Sequence, residues 1–367
     1  MMVQFLVNSL LLLVAAPGAT LAWKAGTSGC STYSYINYTT VTGFFLQDDP
    51  STSPSGFDYA TTNWGLINRT YPTDSKIEKC GSKTQWQKFA YYVKTLNQEA
   101  DGDTAYKVFF FGRHGEGWHN AAESYYGTPA WNCYWSELEG NGTVTWADAT
   151  LTPSGIAQAV KANNYWKTTL ETQKVPAPES YYTSPLMRCL ITANITFSGL
   201  SLPASRPFVP VIKEFFREGI SIHTCDHRSN KTYIHSQFPT WGFEPSFAEH
   251  DPLWNGVTGE ESSSEAARSK IVLDEVFAED DNTWISVTSH SGEIASLLSV
   301  LRHRTFSLST GQIIPVLVKA QRLYQAYPST TINAWTSLAT CTQPPITSIA
   351  SIGCVCSGSP TATATPA

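Results

Sequence analysis

The segment Tyr106 to Phe111, broken only by Lys107, is an apolar run that stops at Gly112. A run this short, closed by a glycine, suits a strand covered on both faces, as strands are in a parallel sheet. Further strands read at Ser180 to Thr183, Val209 to Phe215, Trp284 to Thr288 and Gln312 to Val318. Helical stretches fall between them. One starts at Leu151-Thr152-Pro153, where Thr152 can cap and Pro153 suits the first turn. It carries Ile156, Ala159, Val160 and Trp166 on or near one face, and Pro176 and Pro178 stop it. A second follows Ser184-Pro185 with Leu186, Leu190, Ile191 and Ile195; others cover Glu260 to Phe277 and Glu293 to His303. Strands alternating with helices imply an α/β fold on a mainly parallel sheet.

Ligands on such sheets sit at the carboxyl ends of the strands. Three pairs of residues occupy those ends: Arg113-His114, Ser184-Pro185 and Ser289-His290. Around them, residues 23–100 read as an N-terminal extension packed on the later core. Residues 226–260 read as a long aromatic loop excursion. The stretch from Thr342, rich in Ser, Thr, Pro and Ala, reads as a disordered tail (342–367).

The net charge of −6 argues against nucleic acid or an anionic membrane as partner, since both need a basic face. Residues 1–22 read as a signal peptide: Leu10 to Ala16 is apolar, then Pro17, Gly18 and small residues lead to Ala22. The first lysine is Lys24, so the amino terminus alone supplies positive charge there. Sequons at Asn37, Asn68, Asn141, Asn194 and Asn230 point the same way, to a secreted, extracellular or cell-wall glycoprotein. Of eight cysteines, Cys30, Cys80, Cys133, Cys341, Cys354 and Cys356 are the disulfide candidates. No C-x-x-C pair supports zinc.

The strand ends carry the chemistry. Arg113-His114-Gly115 follows the first strand, and Gly115 would let the backbone approach an anion closely. Arg188 lies in the first turn of the helix after Ser184-Pro185, where a helix start and a guanidinium both favour phosphate. His290 holds the matching place after the fourth strand. Two arginines and two histidines so placed form a cationic pocket in an acidic chain, which is what phosphoryl transfer requires.

These segments resemble the histidine phosphatase superfamily, also called phosphoglycerate mutase-like. The matching motifs are Arg113-His114-Gly115 with Asn120, Asp148-Ala149-Thr150-Leu151-Thr152 with Gly155, Ser184-Pro185-Leu186-Met187-Arg188, Phe216-Arg217-Glu218, His223 to Arg228, and Ser289-His290-Ser291-Gly292. The resemblance spans Val108 to Leu301 and is to the mutase-like branch of fungi and plants. It implies a three-layer sandwich, a mostly parallel central sheet flanked by helices, as a catalytic domain over 101–341. It further implies His114 as a nucleophile that carries the phosphoryl group. Arg113, Arg188, His290 and Asn120, with Ser291, would bind phosphate or substrate, and Glu218 would be the general acid. Glu214 and Glu293 are rivals for that acid, and His119 is expected at the rim. Cys189 and Cys225 lie inside the motifs and are expected buried and unpaired. No cofactor or metal is expected, although His223 to Arg228 is rich in ligand types.

The activity expected is that of a histidine-type acid or broad-specificity phosphatase acting on a small phosphorylated substrate. A mutase, or a non-catalytic secreted binding protein on the same fold, is the alternative. A serine hydrolase is disfavoured because no G-x-S-x-G element occurs. Ser291 departs from the glycine many members carry, and the loops 121–147 and 229–260 should shape the substrate mouth. The sequence leaves oligomeric state open.

Overall fold

The computed structural model describes residues 33–78, 81–349 and 353–357. The expected signal peptide, Cys30, Cys80 and the end of the tail lie outside them. A seven-stranded sheet forms the middle layer. Its strands are β1 (Tyr35–Thr40), β2 (Thr104–Arg113), β3 (Ser180–Thr183), β4 (Val211–Ile212), β5 (Gly242–Phe243), β7 (Trp284–Ser289) and β8 (Ile313–Leu323); β6 (Thr258–Gly259) pairs apart from it with β9 (Thr336–Ser337). The order across the sheet is β1-β8-β2-β7-β3-β4-β5. Pairing is parallel from β2 to β5, and β8 runs antiparallel to both β1 and β2.

Strand β2 shows why there are three layers. Val108 and Phe110 face one core with Trp86 and Phe89 of α2 (Gln85–Glu99), Ala162 and Trp166 of α5 (Pro153–Thr172) and Phe197 of α6 (Met187–Phe197). Phe109 and Phe111 face the other, with Val272, Leu273 and Val276 of α8 (Ser262–Glu279) and Leu297 and Leu298 of α9 (Ser291–Val300). Successive side chains alternate between faces, so helices must cover both. Burying one such side chain stabilises by roughly 1.5–3 kcal/mol. Four in a row anchor the strand that delivers Arg113 and His114. Lys107, the charged residue of the run, reaches the carbonyls of Asp280 and Asn282. Burial pulls its pKa down to about 8.

Helix α5 begins as the sequence indicates: Thr152 Oγ1 accepts from the Gly155 N–H, with Pro153 in the first turn. Other expectations need correction. Ile156 and Val160 are exposed, and α5 packs instead through Ala159, Ala162 and Trp166. The helix ends at Thr172, before Pro176, where Lys174 takes a positive φ. The third strand shrinks to two residues, because Pro207 and Pro210 lack donors and Glu214–Phe216 turns as a 3-10 helix.

The N-terminal segment does more than pack on the core. Its Ile36, Tyr38 and Thr40 point inward from β1, an edge strand of the sheet. A reciprocal Thr84–Gln87 capping box starts α2, which carries Trp86 and Phe89 inward. Residues 226–260 are likewise not only loop: they hold α7 (Lys231–Gln237) and β5, the far edge of the sheet. The described part of the expected tail carries a strand pair, β10 (Thr347–Ile349) and β11 (Gly353–Val355); the disulfide Cys133–Cys354 fixes it to α4 (Thr128–Cys133), and Cys341–Cys356 closes it on the residue just before it. Cys189 and Cys225 are buried and free. Among the described residues, no helix is long and apolar enough to cross a membrane.

Candidate active site

His114 is the first residue past β2. Its N–H donates to the Ser289 carbonyl and its carbonyl accepts from the Gly311 N–H, so β7 and the turn before β8 fix its backbone. The ring is 1% exposed. Its Nδ1 lies 2.7 Å from the Gly115 carbonyl oxygen, an atom that can only accept. Nδ1 therefore carries the proton, and Nε2 keeps its lone pair. Burial, then the charges of Arg188 and Arg113, hold the His114 pKa well below the usual histidine value. A neutral imidazole with a free Nε2 is a nucleophile.

Gly115 does not serve the role its position suggested. A Cβ there would stand 2.3 Å from the Gly155 carbonyl oxygen, and one on Gly155 would stand 2.1 Å from that of Glu116. The two glycines let the start of α5 press against the backbone beside His114. The Gly115 N–H is already donated to Thr192 Oγ1 at 3.0 Å, so it is not free for an anion.

Arg188, in the first turn of α6, is 1% exposed. Its Nη1 donates to the Cys225 carbonyl at 2.6 Å, and its Nη2 lies 3.7 Å from Asp226 Oδ1. Its Nε donates to His290 Nδ1 at 3.2 Å. Because a guanidinium only donates, His290 Nδ1 must accept, and its Nε2–H donates to Ser184 Oγ at 2.7 Å. Burial and the neighbouring cations push the His290 pKa well down. The His114 and His290 ring centroids are 5.1 Å apart. Asp148, whose φ is +38°, accepts from the Met187 N–H with Oδ1 and the Ser229 N–H with Oδ2, and so caps α6 in place of Leu186.

Arg113 donates from Nη1 to the Leu308 carbonyl at 2.7 Å, while its Nε is buried without a partner. Asn120 accepts from the Gly117 N–H at 3.0 Å, which leaves its amide N–H groups for a ligand. His119, expected at the rim, is instead 9% exposed, with its ring centroid 5.4 Å from that of His114.

Glu218 Oε1 accepts from the N–H groups of Gly219 and Glu293, each at 3.1 Å, at the start of the helix that His290 caps. Burial and Asp226 raise its pKa; Arg188, the Gly219 N–H and Arg113 offset this only in part. The two rival glutamates are each engaged by buried partners. Glu214 lies between Arg217 and Arg228, both at 2.9 Å. Glu293 is fully buried against Arg268 and Ser269, each at 3.0 Å. Ser291, expected at the substrate, turns its hydroxyl toward Glu218 Oε2, 3.5 Å away.

The segment His223 to Arg228 is chiefly structural. Its carbonyls hold Arg188 and Arg217, and Arg228 is spent on Glu214 and the Ala248 and His250 carbonyls. His223, Cys225 and Asp226 do bring ligand atoms within 4.8 Å of one another. Asp226, however, is committed to Ser221 and Arg188, and burial pushes the Cys225 thiol well up, away from the thiolate a metal binds.

Sequence reasoning missed Ser184 Oγ as the partner of His290, Thr192 as the partner of Gly115, and Cys189, whose Sγ lies 3.3 Å from His290 Nε2. A serine and a cysteine at a strand end carry no signal of the histidine they meet a hundred residues later.

The profile of the histidine phosphatase superfamily (branch 1) matches residues 110–312. A protein of Arthroderma benhamiae described as a probable phosphoglycerate mutase is 48% identical over 78% of this chain and 85% of its own. The phosphomutase-like protein 3 of Candida albicans is 36% identical over 91% of this chain and 94% of its own. A probable phosphoglycerate mutase of Saccharomyces cerevisiae is 32% identical over 58% and 79%.

Proposed function

This chain belongs to the histidine phosphatase superfamily, a family of phosphatases and mutases, and on that footing we propose that it is a phosphomonoesterase working through a phosphohistidine. The observation that carries the reading is His114. It is neutral, its Nδ1 is tied to the Gly115 carbonyl, and Arg113 and Arg188 lie near enough to depress its pKa. In the first step Nε2 attacks phosphorus, a P–N bond forms and the P–O ester bond breaks. The proton of Glu218 goes to the leaving oxygen. In the second step water attacks phosphorus, the P–N bond breaks and the water proton returns to Glu218. Arg113, Arg188 and the Asn120 amide would offset charge on the equatorial oxygens, while His290, whose two nitrogens are taken by Arg188 and Ser184, would hold the Arg188 guanidinium in place.

A mutase reading is favoured by the names of the relatives. A panel of phosphate esters decides: release of inorganic phosphate without isomerised product supports hydrolysis, and isomerisation without release overturns it. The general acid has its own test. Replacing it as Glu218→Gln should slow alkyl phosphates by about 10²–10⁴ in kcat while sparing activated aryl phosphates, whose leaving groups need no proton. Equal loss on both rejects the assignment.

The compartment proposed is extracellular. In support, Asn68, Asn141, Asn194 and Asn230 are exposed and Asn37 half-buried. The two disulfides also suit an oxidising environment. The protein should therefore be recovered from culture medium at a mass that falls on endoglycosidase treatment. A chain confined to cell extract with no such fall would remove this part of the proposal.

A further inference from the structure

Beside His114 stands a second imidazole that the proposed chemistry does not use. His119 lies in the first turn of α3 (Trp118–Tyr126), one residue before Asn120, and is buried. Its ring centroid is 5.4 Å from that of His114, and the charges of Arg188 and Arg113 reach both rings. A histidine this deep ordinarily finds hydrogen-bond partners. His114 is bonded through Nδ1, and His290 through both nitrogens. His119 has no partner on either. Its Nδ1 is sealed from solvent and unbonded. Its Nε2 is likewise unbonded among the described residues, but it is not sealed.

The position of the ring and of its proton follow. A Cβ on Gly117 would stand 2.7 Å from His119 Nδ1 and 2.8 Å from Cε1. The Nδ1 edge therefore rests against the chain that enters α3, in room left by the glycine, and the edge that bears Nε2 is turned away from it. Burial, then Arg188, His114 and Arg113, keep the ring neutral by holding its pKa well below the usual histidine value. A neutral ring carries one proton. A buried N–H without an acceptor is a costlier defect than a buried lone pair without a donor. The proton thus belongs on Nε2, where an acceptor can still arrive, and Nδ1 keeps its lone pair.

We propose that His119 is a phosphoryl-binding residue: its Nε2–H donates to a non-bridging oxygen of the phosphate ester, beside the Asn120 amide, and holds that oxygen while His114 attacks phosphorus. This rests on the reading of His114 as nucleophile. Arg113 and Arg188 already supply positive charge, so a neutral donor adds direction to the pocket without adding repulsion. The ester supplies the acceptor that the protein does not.

The probe is inorganic orthovanadate, which accepts a fifth ligand and so imitates phosphorus under attack. His119→Ala should weaken vanadate inhibition by about 10- to 100-fold, the range for one hydrogen bond to a charged group. It should lower kcat/KM by a similar factor on alkyl and activated aryl phosphates alike, because both present the same phosphoryl oxygens. His119→Gln, whose amide N–H can take the place of Nε2–H, should recover most of the loss. Gly117→Ala serves if His119→Ala lowers thermal stability: its φ of −95° suits alanine, but the added methyl displaces the ring and should weaken vanadate inhibition too. If the wild type is not inhibited by vanadate and traps no phosphoryl adduct, the phosphohistidine reading falls and this proposal with it. If the wild type is inhibited and His119→Ala is inhibited equally well, or if His119→Gln loses as much as His119→Ala, the His119 proposal alone falls.

Discussion

The His114→Ala protein should lose ester hydrolysis by a factor on the order of 10⁴ or more in kcat, as removal of a covalent nucleophile does, while keeping its fold and its hold on phosphate. The ring is almost wholly buried, and the backbone bonds of residue 114 to Ser289 and Gly311 do not involve it. Arg113 and Arg188 remain, so inorganic phosphate should still raise the melting temperature of the variant. The neighbouring imidazole His290 cannot take over: Arg188 and Ser184 occupy both of its nitrogens. Rapid acid quench of the wild type with labelled ester should trap an adduct that is lost in acid, and the variant should trap none. Residual turnover near one per cent would place the nucleophile elsewhere. The same geometry sets the acid limb. Attack needs neutral His114, and burial together with Arg188 and Arg113 lowers its pKa. Activity should therefore persist to a pH well below that at which an ordinary histidine protonates.

What the sequence discloses is local, and what it conceals is contact at a distance. Four consecutive apolar side chains at Val108 to Phe111 require cover on two faces, and Thr152-Pro153 announces a helix start; both stand in the structure. Strand ends then place Arg113, His114, Arg188 and His290 at one edge of the sheet, because every parallel strand delivers its last residue to the same side. Edge strands were illegible for a physical reason. Strand β1 owes its place to pairing with β8, some 280 residues later, and the two residues of β5 are too few to show alternation. The strand pair in the described part of the expected tail is held by Cys133 and Cys341 rather than announced by any apolar pattern of its own. Gly115 was misread because its neighbour is the Gly155 backbone, which no local motif reveals.

Arg217→Ala should destabilise the fold by about 3–5 kcal/mol, the usual cost of stripping one partner from a buried ion pair. Arg217 and Asp251 both have fully buried side chains. The guanidinium meets the carboxylate with two bonds, Nη1 to Oδ1 at 2.8 Å and Nη2 to Oδ2 at 2.7 Å. It also holds Glu214 and the Asp226 carbonyl, so its loss loosens the segment that positions Arg188 and Glu218. The sign of the pH dependence follows. Burial alone would raise the Asp251 pKa, but the bonds and charge of Arg217 and the N–H groups of Arg228 and Leu253 hold it well below the ordinary value. The pair's contribution is thus fully present above the unfolded aspartate pKa of about 3.9 and is lost as pH falls through the depressed folded value. In Arg217→Ala the sign reverses, since burial now favours the protonated acid and acidification relieves an unpaired charge. Urea unfolding should therefore show the gap between wild type and variant to be widest near neutral pH and narrower at about pH 4, where the unfolded carboxyl also protonates. A gap that stays constant between those two conditions would mean that Asp251 is not the charge Arg217 neutralises.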